Sequence, residues 1–173
     1  MKTPQPFGTP WVSLLVRTLP ERDTGTVTVD DQLPRSDAAV YSIEWVRETL
    51  TDREPDSWTH YRAGVEAIGN GEHAQAIYEL ETAVREYERL HSDVFEMRNQ
   101  FEEGQPRQEL FEVLWGVYYH LHEAVVAWSN SVIAAQDDSE EAATWRVEAI
   151  KEHSTASRHV AEWYRLVVEW TDE

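Results

Sequence analysis

Seven histidines, thirteen arginines and 33 carboxylates in a 173-residue chain offer three groupings with chemical meaning. Glu88-x-x-His91 sets a carboxylate and an imidazole one helical turn apart, where a helix can offer both to one metal ion. Completing such a site needs a second pair of the same spacing and further inward carboxylates. No other long helix supplies that pair, and the remaining metal candidate joins Glu88 and His91 to His120. His120 and His122 lie about 200° apart on a helix, so one ion cannot take both. His120 and Glu123 share a face, yet two ligands do not make a site. No metal or other cofactor is expected. Arg146 and His153 stand seven residues apart on one helix face. Arg53 with His60 and Arg85 with His91 have similar spacing, so such pairs also arise by chance.

Arg146-x6-His153 fits the loose R-x(4–6)-H signature and resembles that of HEPN-type ribonucleases, which are also helical bundles. The resemblance implies Arg146 and His153 as catalytic residues. Val147 departs from it, since the family usually has a polar residue after the arginine. No glycine-rich phosphate loop, nucleophile elbow or H-E-x-x-H is present. Pairs such as Glu148 and Glu152 read as a solvated face. The leading expectation is therefore a non-catalytic protein that binds other proteins as an adaptor or scaffold, with the ribonuclease as its alternative. Trp115, Trp128, Trp145, Trp163 and Trp170 are the interface candidates, because aromatic residues anchor interfaces. They would serve a protein partner or self-association as a homodimer. The competing reading is a wide core face.

The segment His60–Tyr87 reads as two helices joined by Asn70-Gly71, a turn dipeptide that tolerates left-handed backbone. Gly64 costs a helix about 1 kcal/mol against alanine. Close approach of the second helix at Ala76 is the expected compensation. Ala63-Gly64, Gly71, Ala76-Ile77, Leu80 and Ala83 resemble one tetratricopeptide repeat. His60 and Ala67 depart from its large aromatics, and no proline closes it near Glu88. No second copy follows, so a stacked solenoid is not expected.

The elements around this hairpin follow from periodicity. Residues 1–35 form an extended segment, in which 11–16 is either a short helix or a strand that pairs with 25–29 as a β-hairpin. Residues 36–173 form the helical domain. Ser36-Asp37 caps a helix to about Leu50, through Tyr41, Trp45 and Val46. A long helix from about Glu72 carries the seam Ile77, Leu80, Val84, Tyr87, His91, Val94, Arg98 and Phe101, ended by Gly104-Gln105-Pro106. The next, about 107–136, carries Phe111, Leu114, Tyr118, Leu121, Val125, Trp128, Val132 and Ala135. After Asp137-Asp138-Ser139, the last helix is expected to bury Ala143, Val147, Ile150, Ser157, Val160, Tyr164 and Val167. Long helices with short breaks pack antiparallel. The expected fold is an all-α antiparallel bundle of about five helices.

Composition sets the environment. The net charge is -18, and only Lys2 and Lys151 are lysines. An acidic, lysine-poor chain with scattered carboxylates resembles proteins of salt-in halophiles such as haloarchaea, whose surfaces molar salt screens. Cysteine is absent, which excludes disulfides and thiolate chemistry. No basic stripe invites nucleic acid, and no apolar run is long enough to span a bilayer. A cytoplasmic location is expected.

Overall fold

The computed structural model describes residues 54–171, which form four helices. They are α1 (Glu54–Gly69), α2 (His73–Arg98), α3 (Pro106–Gln136) and α4 (Glu141–Thr171). The expected helix near 36–50 and the expected strands at 11–16 and 25–29 lie outside the described residues.

Each connection is made by a residue that can leave the right-handed region. At the first turn Gly71 has φ 75°, the Glu72 amide donates to the Ala67 carbonyl at 2.9 Å and the Gly71 amide to Ile68 at 3.1 Å. Those two bonds satisfy carbonyls that the helix end leaves open. Asp138 (φ 51°) repeats the arrangement between α3 and α4, where the Ser139 amide donates to Ala134 at 2.9 Å. Helix α2 stops at Arg98, before the expected Phe101. Successive turns then carry the chain through Gly104 (φ 86°) to Pro106 at the start of α3.

Short turns make sequence neighbours pack antiparallel. Phe95 meets Trp115, Arg98 meets Glu112 and Phe101 stacks on Phe111, so the partner on α3 steps back as α2 advances. His120 reaches Glu152 and His159 on α4, and His60 on α1 reaches Glu79 on α2. Helix α3 sits between α2 and α4. It buries the expected stripe from Phe111 to Val132 and a second one through Leu110, Val117, Ala124 and Ser131.

Two seams differ from expectation. On α2 the buried residues are Ala76, Leu80, Ala83, Tyr87, Leu90 and Val94, so Ile77, Val84 and His91 fall to the half-buried edge. On α4 the buried residues are Ala149, Ala156 and Trp163, while Val147, Ile150 and Tyr164 are exposed. Ala143 and Ser157 are exposed as well, and Val160 is half-buried. Against α3 the chain uses small alanines for close approach. The larger aliphatic residues that mark a core by composition point away. Gly64 also finds a different neighbour: a Cβ there would lie 2.6 Å from the Leu80 side chain, so Leu80, not Ala76, presses on the glycine.

Candidate functional site

Tyr61 links the four described helices. It is fully buried on α1, edge-on to Tyr87 of α2, hydrogen-bonded to Trp128 of α3, and 3.2 Å from His153 Nδ1 of α4. The indole N–H can only donate, so Trp128 donates to the phenol oxygen and the phenol O–H donates to His153 Nδ1. That places the remaining ring proton of His153 on Nε2. Burial pushes the Tyr61 hydroxyl up and takes His153 down to about 4, because both charged forms lose hydration. Trp58 lies against the same imidazole, with ring centroids 6.1 Å apart. At neutral pH His153 is therefore an uncharged imidazole with one nitrogen engaged in the core. Arg146 stands exposed two turns earlier on α4. The pair shares a helix face, as the spacing requires, but the histidine is seated between helices.

The other candidates separate by helix face. His91 and His122 approach across α2 and α3 with ring centroids 5.3 Å apart. His120, on the opposite side of α3, stacks on His159 at 5.2 Å and its Nδ1 lies 2.5 Å from Glu152. Glu88 and His91 thus sit on the α2 side while His120 serves the α4 side, and the three do not converge. Among the described residues no group of three or more potential ligands is placed to hold one metal ion. Burial lowers the pKa of His91 and His159, and the facing histidine lowers each further. Gly116 was not singled out by the sequence, yet a Cβ there would meet the His159 ring at 3.3 Å.

The tryptophans divide likewise. Trp163 and Trp128 are buried in the core, and Trp145 packs partly against it. The side chain of Trp170 lies outside the described set. Trp115 likewise packs partly against the core, at the edge between α2 and α3, stacked on Tyr119 with centroids 5.3 Å apart and 6.1 Å from Phe95. Trp115, Tyr119, His122, Val126 and Ile133 recur along α3 by three, four and seven, a stripe at the α2–α3 edge in which Tyr119 and Ile133 are exposed and the other three half-buried. Beside it, a groove of about 310 Å³ opens between the helices, floored by Val84 and Val126 and edged by Glu81, Arg85, Ser129 and Asn130. Phe95, Tyr119 and Ile133 are exposed along this seam.

No known protein family, curated protein or solved structure matches the chain. The functional reading rests on these surfaces alone. Among the described residues no helix is long and apolar enough to cross a membrane.

Proposed function

We propose that the protein is a non-catalytic adaptor that takes an amphipathic helix of a partner protein along the outer seam of α2 and α3. The observation that carries this reading is the heptad-spaced stripe Trp115, Tyr119, His122, Val126 and Ile133 along the α2–α3 edge, with Tyr119 and Ile133 exposed and the others half-buried. Such a stripe is what one helix presents to another in a packed pair, and helix-in-groove recognition uses the same geometry. The groove over Val84 and Val126 suits one apolar anchor, and Arg85 at its edge suits a carboxylate on the partner. The α1–α2 hairpin, turned at the left-handed Gly71 and burying Ala76, Leu80 and Ala83, supports the likeness to a single tetratricopeptide repeat. The net charge of -18 and scarcity of lysine support a halophilic, cytoplasmic setting.

The test is capture of partners by the full-length protein from its own cells, in molar potassium chloride throughout. A stoichiometric partner should bind the native chain and the control Glu66→Gln on the exposed face of α1. It should be lost with Tyr119→Glu and Ile133→Glu. Capture that ignores both seam substitutions would remove the reading.

A further inference from the structure

The α2–α3 seam is aliphatic around Val84 and Val126 and becomes aromatic beyond His122. Phe95 of α2 is 43% exposed and Tyr119 of α3 37%, with half-buried Trp115 6.1 Å from the first ring and 5.3 Å from the second. One cation already sits here. The Arg98 guanidinium lies over the Phe95 ring, 5.8 Å from its centroid, and reaches Glu112 of α3 at 3.4 Å. A ring on α2 and a carboxylate on α3 thus hold an arginine between them.

One heptad along the pair, ring and carboxylate change helices. Glu88 stands seven residues before Phe95, and Tyr119 seven after Glu112. His91 takes the place of Arg98, edge-on to Tyr119 at 6.1 Å. Glu88 from α2 and Glu123 from α3 both act on the charge of His91, and Glu123 lies 3.2 Å from His122 Nδ1. Burial and the facing His122 lower the His91 pKa, so at neutral pH that imidazole supplies no positive charge. Among the described residues no arginine or lysine bridges to Glu88 or Glu123. An acidic border alone decides nothing in a chain with 33 acids against 15 bases. A ring set between two such carboxylates does, because it selects a cation that can stack.

We propose that Tyr119, Glu88 and Glu123 form a site for an arginine side chain of the partner helix, the guanidinium lying on the tyrosine ring as Arg98 lies on Phe95. This rests on the seam being the docking surface, and it adds the chemistry of the partner. Arginine fits better than lysine, since its planar, weakly hydrated head stacks on rings and pairs with carboxylates in a fixed fork. At about 1 M salt the screening length is about 3 Å, so contact chemistry of this kind outlasts long-range attraction. Val126 lies seven residues from Tyr119, about 10 Å along α3. The partner helix therefore carries its apolar anchor and its arginine two turns apart.

Two labelled helical peptides of about 18 residues, offered to the full-length chain in molar potassium chloride, test this. Both carry leucines at heptad spacing. They differ only two turns either side of the central leucine, with arginine in one and its uncharged isostere citrulline in the other. By fluorescence anisotropy the arginine peptide should bind about fivefold tighter. That preference should persist in Tyr119→Phe, which keeps the ring, and in Glu66→Gln with Glu140→Gln, which removes two carboxylates elsewhere. It should vanish in Tyr119→Leu and in Glu88→Gln with Glu123→Gln. Equal binding of the two peptides, abolished by Ile133→Glu, would overturn the arginine site and leave the seam standing. A preference that survives Glu88→Gln with Glu123→Gln would overturn the site as well, since net charge would then explain it. If neither peptide binds, or Ile133→Glu leaves binding intact, the seam and the arginine site fall together.

Discussion

The Tyr61 hydroxyl lies 3.2 Å from His153 Nδ1 across 92 residues of sequence, and it joins the first described helix to the last. The same oxygen takes the Trp128 indole N–H, so one phenol serves both an indole and an imidazole. Tyr61→Phe preserves the ring but removes both bonds. A loss of about 1–3 kcal/mol is expected, the ordinary cost of a buried polar group left unpaired. A urea midpoint at constant salt, with unchanged slope, checks it.

Acid should destabilise the fold through the same histidine. His153 titrates at about 4 in the folded chain against 6.5 when unfolded. Between those values the unfolded chain binds a proton that the folded chain refuses. Stability is therefore full above 6.5 and falls as the pH drops toward 4, by about 3 kcal/mol for this group. His91 and His159, also lowered, act in the same direction. Denaturant midpoints through this window should show a shallower slope in His153→Gln, whose amide still accepts from Tyr61.

Gly64→Ala separates packing from propensity. Alanine favours the helix by about 1 kcal/mol, but its Cβ would meet Leu80 at 2.6 Å. Overpacking of this kind costs about 1–3 kcal/mol. A net loss is expected for Gly64→Ala alone, and it should shrink in a Leu80→Ala background. A double-mutant cycle reads the coupling.

Asp138, with φ 51°, occupies a backbone region that a side chain strains. Asp138→Gly should raise stability by about 1 kcal/mol, since left-handed backbone costs a non-glycine residue about that much. Gly71→Ala, at φ 75°, should lower it by a similar amount. Thermal melting of both variants gives the two signs.

Salt should govern all of these measurements. At about 1 M the screening length is about 3 Å, short enough to quiet repulsion among surface carboxylates. With a net charge of -18, dilution is expected to unfold the native chain. Circular dichroism across a potassium chloride series checks this, and a helical signal unchanged in dilute buffer would refute it.

Periodicity made the helices legible. Asn70-Gly71 and Asp137-Asp138-Ser139 end their helices where turn chemistry places them, and the stripe Phe111 to Val132 is buried as expected. The second buried stripe of α3 was hidden, because Leu110, Val117 and Ala124 acquire their role only once α2 and α4 flank the same helix. On α4 hydrophobic weight misled. Val147 and Ile150 outrank Ala149 and Ala156 in apolarity, yet close helix approach selects the alanines. The Tyr61–His153 bond leaves no mark in spacing, since nothing local ties residues so distant. His91 and His122 as neighbours required the register between α2 and α3, and a ligand count along one helix cannot provide it.

Each described helix packs chiefly on the next one in the chain, which keeps contacting residues close in sequence. Such a topology has little loop entropy to overcome and belongs with the rapid folders. Tyr61 and His153 are an exception, since their meeting closes the first described helix onto the last when the hairpins between can already exist. A bond formed that late lies after the transition state. Its loss in Tyr61→Phe should therefore speed unfolding and leave the folding limb of the chevron nearly unmoved. The phenol acts as a latch on the lifetime of the bundle, while the hairpins set how fast it forms.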